Sequence, residues 1–90
     1  MDTAPHFELF PAYPDPFNAA TTLHYSLPRA DHVSLLVYDI ISRRVDQLMD
    51  KNQSAGVYSV HWEPQLASGI YFVRYSAGST EHIQKVMLIK

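Results

Sequence analysis

The chain has 90 residues, 47% of them apolar and 18% charged, and this composition suits one small folded domain rather than a disordered tract. Seven basic residues stand against nine acidic ones, a formal net charge of −2. That balance argues against nucleic acid or an anionic membrane surface as the main partner, since both call for a basic excess. No run of about 20 apolar residues offers a membrane-spanning helix. The absence of cysteine removes disulfides, thiolate nucleophiles and cysteine-ligated zinc. Residues 1–5 lack a basic stretch followed by an apolar one, so no signal peptide is expected there. An export signal of that kind would sit on a longer parent chain.

In chain order, residues 6–10 predict a short first strand. Pro11, Pro14 and Pro16 then crowd around Asp15. Prolines fix φ and cannot donate to a ladder, so residues 11–18 predict a stiff, irregular connection. Phe7, Leu9, Phe10, Tyr13 and Phe17 are too apolar for a solvated linker and are expected to pack onto the domain. Thr21–Leu27 alternates cleanly, with Leu23, Tyr25 and Leu27 on one face. Residues 33–39 predict a central strand with apolar residues on both faces, Leu36 and Tyr38 opposing Val33, Leu35 and Val37.

Residues 40–43 predict a turn and residues 44–49 a weaker strand, with a helical turn as the alternative, because Val45 and Leu48 break period two. Residues 50–55 read as a polar loop closed by Gly56. Residues 57–62 alternate again and end in Trp62, which is expected between two sheets, flanked by Tyr71 and Tyr75. Residues 70–77 are the strongest strand, rich in aromatic and β-branched residues. Gly78-Ser79 suits a hairpin turn, and residues 80–90 predict the last strand. Seven short antiparallel strands at roughly 10-residue spacing point to an all-β, immunoglobulin-like β-sandwich over residues 1–90. A small open barrel is the alternative.

Catalytic patterns are scarce. No Gly-x-Ser-x-Gly elbow frames a serine nucleophile, and no Gly-rich loop would hold a phosphate. His6, His24, His32, His61 and His82 form no His-x-x-x-His pair and read as exposed surface histidines. Asp46, Asp50 and Asn52 cluster too loosely for a calcium loop. Glu63 and Glu81 have no spacing that would pair them. Most aromatic residues fall at inward positions of strands, which favours core packing over a sugar-binding platform. No enzyme, cofactor or metal site is expected. The residues point to a binding, sorting or structural module.

Ordered motifs carry more. Tyr13-Pro14-Asp15-Pro16-Phe17-Asn18, the Thr-rich strand from Thr21 ending Leu27-Pro28, and Val37-Tyr38-Asp39 stand in sequence. Ala55-Gly56, Trp62, Ser68-Gly69-Ile70-Tyr71-Phe72 and the terminal Lys85-Val86-Met87-Leu88-Ile89-Lys90 follow. Together they resemble the C-terminal sorting domain of type IX secretion substrates, over nearly the whole chain. A related Ig-like module occurs in flagellar hook-capping proteins.

The resemblance implies a seven-stranded Ig-like sandwich that directs a passenger protein, placed N-terminal to it, across the outer membrane of a Bacteroidetes-type bacterium. The passenger would reach the periplasm first and end secreted or on the cell surface. The implied partners are the type IX machinery and a sortase-like peptidase that removes the domain. In the family, export is tied to motifs that correspond here to Gly69, Ile70 and Tyr71, and to Lys85, Val86, Met87, Leu88, Ile89 and Lys90. Tyr13, Pro14, Pro16, Phe17, Asn18, Tyr38, Asp39 and Trp62 correspond to structural motif positions. Phe17 is expected to plug the core and Asn18 to make turn hydrogen bonds.

The last strand also suits recognition by β-augmentation, with Lys85 and Lys90 as flanking charges against aggregation. An unprotected edge there could pair two copies into a homodimer.

The chain departs from the family at three places. Asp15 stands where asparagine is usual, and Ala19-Ala20 replaces a pair that commonly contains proline. Ser42 stands where the glycine of a Gly-Arg turn is expected, which would cost energy if that turn needs positive φ. A second reading is an accessory carbohydrate- or protein-binding module of a secreted hydrolase. It requires an exposed coplanar aromatic pair drawn from Tyr38, Tyr58 or Phe72. The sorting reading requires buried aromatics and residues 85–90 at an accessible edge.

Overall fold

In this computed structural model residues 6–90 are described. Their alternating apolar residues build seven strands: β1 Glu8–Leu9, β2 Thr21–Leu27, β3 Asp31–Tyr38, β4 Arg44–Gln53, β5 Gly56–Trp62, β6 Gly69–Ala77 and β7 Thr80–Leu88. Every ladder between them is antiparallel. One sheet has the order β1-β2-β5 and the other β4-β3-β6-β7. The architecture is an Ig-like β-sandwich, as the strand spacing predicted.

The core lies between the sheets. Leu23, Tyr25 and Leu27 from β2 and Trp62 from β5 meet Val33, Leu35 and Val37 from β3. Tyr71, Val73 and Tyr75 from β6 and Val86 and Leu88 from β7 complete it. Each large side chain so buried contributes roughly 1.5–3 kcal/mol by removal from water. The buried tyrosines keep their hydroxyls satisfied. Tyr75 Oη donates to the Ser26 carbonyl at 2.8 Å, and Tyr71 Oη to the Ala67 carbonyl at 2.6 Å. Burial pushes the Tyr75 phenol up to about 12 and raises that of Tyr25.

Trp62 sits between the sheets as expected, and its indole Nε1 donates to Asp46 Oδ2 on β4 at 2.8 Å. Its aromatic neighbours are Phe17, at 5.4 Å between centroids, and Tyr71, edge-on at 6.5 Å. Tyr75 does not flank it. That ring stacks on Phe7 at 4.4 Å and tilts against Tyr25 at 4.8 Å, toward the other end of the sandwich. Tyr75 lies four positions beyond Tyr71, and at about 3.4 Å per residue a strand carries them some 14 Å apart.

Several element boundaries differ from the sequence reading: β3 runs over Asp31–Tyr38 rather than residues 33–39, and β5 and β6 each begin one residue earlier, at Gly56 and Gly69. The first strand shrinks to Glu8–Leu9. The last ends at Leu88. β4 runs on through Gln53, so most of the expected loop at 50–55 is strand. Its ladder with β3 shifts register between Leu35 and Leu36 and again between Val37 and Tyr38. Such bulges put successive apolar residues on one face, which is why Val45, Leu48 and Met49 reach the core without keeping period two. The polar Asp50-Lys51-Asn52-Gln53 tail forms part of a sheet edge, where charge discourages pairing with other chains.

The β3–β4 turn is held by Asp39. Its Oδ1 accepts from the backbone N–H groups of Ile41 and Arg43, each at 3.0 Å, and its Oδ2 from Arg43 Nε at 2.8 Å. The Arg43 backbone N–H is the leading cause that holds the Asp39 carboxyl below the usual range. Ser42 does adopt positive φ, 66°, in this turn, as does Ala19, at 74°, before β2.

Candidate functional site

The register between β6 and β7 joins the two segments singled out for export. Gly69 pairs with Leu88, Ile70 with Met87 and Tyr71 with Val86. Lys90 closes the end by donating its backbone N–H to Ser68 Oγ at 2.9 Å. Within β7 the side chains divide by face. Val86 and Leu88 enter the core, while Lys85, Met87, Ile89 and Lys90 are exposed. Tyr71 is buried and Ile70 half-buried on the outer side. Gly69 has open room, because an added Cβ would meet only the Tyr71 ring at ordinary contact distance.

β7 is the edge strand of the four-stranded sheet, in agreement with the expectation for the sorting reading. Its edge is nevertheless occupied where it was expected to be open. The Phe17 N–H donates to the Met87 carbonyl at 2.9 Å, and the Ile89 N–H donates to the Phe17 carbonyl at 2.8 Å. Asp15 Oδ1 accepts the Met87 N–H at 3.0 Å. The Gln84 side chain accepts from the Ala12 N–H and donates to the Phe10 carbonyl, both at 2.7 Å. The proline-rich segment is thus a strap that adds itself to the C-terminal strand. Strand addition by a partner, or by a second copy, at Met87 and Ile89 must first displace it.

The strap explains its own composition. Phe17 is 2% exposed and anchors it in the core. Tyr13 is 79% exposed, contrary to the expected packing, and acts through its backbone, which exchanges two 3.1 Å hydrogen bonds with Thr22. Pro14 and Pro16 are exposed, and the bonds that precede them are cis. The Pro14 carbonyl accepts from Thr21 Oγ1 at 2.7 Å, and the Asn18 carbonyl accepts from the Ala20 N–H at 2.9 Å. A carboxylate at position 15 performs an acceptor role that an asparagine side chain could also fill. Gln84 is a participant that no spacing in the sequence signals.

Tyr38 and Asp39 are not brought to this edge. Tyr38 pairs with Phe72 on the outer face of the sheet, and Asp39 serves the turn. Tyr58 turns inward and stacks on Tyr25 at 5.3 Å. The ring of Tyr38 carries the Arg74 guanidinium, 5.3 Å from its centroid, rather than a second aromatic. This is not the coplanar aromatic pair that a sugar platform needs. The five histidines are all exposed. Among the described residues no three metal-ligating side chains converge. His32 bridges Asp50 at 2.6 Å and Asn52 at 3.0 Å, and the Asp50 contact, followed by that to Asn52, raises its pKa.

Among the described residues the fold is a sandwich of strands in which the C-terminal strand forms one edge of the larger sheet. The family model described as "Secretion system C-terminal sorting domain" matches residues 11–90. The chain belongs to that family, the C-terminal sorting domains of type IX secretion. No curated protein and no solved structure matches it. The matched region begins at Pro11 and so includes the strap, Trp62, the β6 motif and the terminal strand.

Proposed function

We propose that this chain is the C-terminal export signal of a larger secreted protein, read by the type IX machinery at the outer membrane. It carries an N-terminal passenger from the periplasm to the medium or the cell surface and has no catalytic role. A sortase-like peptidase then separates it from the passenger, which is released or attached to the surface. Gly69, Ile70, Tyr71 and residues 85–90 form the signal. The observation that carries this reading is their convergence with Phe17 in one edge ladder, which leaves Lys85, Met87, Ile89 and Lys90 outward.

The test is export of a fluorescent reporter bearing a signal peptide and this chain at its C-terminus, in a bacterium with an active type IX system. A second fusion ends at Leu88. It lacks only exposed residues and keeps Val86 and Leu88 in the core. The full chain should deliver the reporter to the surface or medium. The shortened fusion should stay folded in the periplasm. Retention of the full, folded fusion would refute the sorting role. Equal export of both would remove Ile89 and Lys90 from the signal.

A further inference from the structure

A sheet edge invites pairing with another chain, and three of the four edge strands here are protected against it. β1 is only two residues long. β7 is covered by the strap. β4 carries Arg44, Asp46, Asp50 and Lys51, and its ladder is broken by two register shifts. β5 has none of these devices. Its residues Gly56–Trp62 include no charged side chain and no proline, and its ladder with β2 runs without a shift. Among the described residues no backbone pairs with its other side.

The direction of the unpaired groups follows from β2. Thr22 exchanges its backbone hydrogen bonds with Tyr13, and the His24 carbonyl accepts from the Phe10 N–H, so both residues turn their main chain away from β5. Ser26, two residues further, does the same toward Glu8. In an antiparallel ladder, residues directly opposite exchange both bonds or neither. His61 lies opposite Thr22, Ser59 opposite His24 and Val57 opposite Ser26. These three residues of β5 therefore aim their N–H and C=O groups outward. Their side chains are exposed as well, and Val57 is 69% exposed although it is apolar.

The strand is complementary to itself. Set antiparallel about a two-fold axis at Ser59, two copies of Gly56–Trp62 pair over their whole length, and every outward group finds a partner. Gly56 then stands opposite Trp62, Val57 opposite His61, Tyr58 opposite Val60 and Ser59 opposite its own copy. The largest side chain meets the smallest, an aromatic ring meets a β-branched residue, and hydroxyl meets hydroxyl. No like charges face each other along the strand. β4 is the other edge on this side of the sandwich, as the Trp62–Asp46 hydrogen bond shows, and its two acids balance its two bases. We infer that β5 is a homodimerisation edge, where a second copy of this chain pairs antiparallel through Val57, Ser59 and His61 to give one continuous sheet. A two-fold contact of this kind closes at two copies. The inference stands on edge geometry and is independent of the export reading. It moves the pairing of copies from β7, where the strap intervenes, to β5.

Because the chain has no cysteine, a single introduced one reports the register. Ser59→Cys sets the two thiols on the axis, where the Cα atoms of a hydrogen-bonded pair lie about 5.5 Å apart, within disulfide reach. Val57→Cys sets them roughly 14 Å apart or more. Under mild oxidation Ser59→Cys should form a covalent dimer about tenfold faster than Val57→Cys, or more. Sedimentation of the wild-type chain should show a monomer–dimer equilibrium. Ser59→Lys sets two charges face to face, and Ser59→Pro removes an outward N–H while leaving the β2 ladder whole. Each should weaken association about tenfold or more while the chain still melts cooperatively. Should Ser59→Pro disturb folding, Ser59→Lys changes only an exposed side chain.

A wild type that stays monomeric at about 1 mM would overturn the inference. Equal crosslinking from positions 57 and 59 would refute the register and with it the pairing. A dimer that Ser59→Lys and Ser59→Pro leave intact would lie on another face and refute it too. A monomeric wild type whose reporter export falls with Ser59→Lys would make the occupant a strand of another protein, against the inference.

Discussion

Replacing Phe17 with alanine tests the strap directly. The ring is 2% exposed and lies 5.4 Å from the Trp62 ring, between centroids, on a segment also held by hydrogen bonds to β2 and β7. Removing a buried phenyl group costs about 3–5 kcal/mol in transfer and cavity terms. A domain of this size has a total stability of roughly 5–13 kcal/mol. The substitution should therefore take away about a quarter or more of the stability, and at the low end most of it. With a urea m-value of about 1 kcal/mol/M for a small domain, the midpoint should fall by about 3 M or more. Trp62 fluorescence reports the transition, because the indole loses a packed neighbour at the mutated position. Tyr13→Ala, four residues earlier on the same strap, is the control. Its side chain is 79% exposed and its backbone bonds survive, so it should change stability by no more than about 0.5 kcal/mol. A Phe17→Ala midpoint within about 1 M of the wild type would refute the claim that this residue anchors the strap.

Two further outcomes follow from backbone and burial. Ser42→Gly should stabilise the domain by roughly 0.5–1 kcal/mol, because Ser42 holds φ at 66° and glycine adopts that region without the Cβ penalty; thermal melting measures this, and no gain would place the strain elsewhere. The Tyr75 phenol has a folded pKa of about 12 against an ordinary value of 10.0, so the folded state keeps its proton longer than the unfolded chain. Stability should fall as pH rises from about 10 toward 12. Urea midpoints across that range should decline less steeply in Tyr75→Phe, and identical slopes would contradict the assignment.

The β6 and β7 motifs were legible as ordered residue types, but their meeting was not. Thr21–Leu27 appears in the structure with the bounds that alternation assigns, because Leu23, Tyr25 and Leu27 all face inward and Pro28 stops the ladder. Residues 50–53 read as a loop since Asp, Lys, Asn and Gln have little strand preference, and only pairing with β3 makes them strand. Tyr13 reads as a packing residue because its type is apolar. The structure uses its main chain instead, a role that side-chain identity does not encode.

Side-chain period and turn chemistry by themselves determined that the chain is all-β and which residues face inward on most strands. These are properties of near neighbours along the chain, set by local sterics and by burial of one face. The tertiary structure alone decided that Phe17 lies against Met87 and Ile89, that Gln84 ties down Phe10 and Ala12, and that Tyr38, Phe72, Arg74 and Ile83 enclose one groove. Alternation states which face a residue takes but not which strand stands beside it. That choice belongs to register and to the order of strands in the sheets, which depend on how the whole core closes.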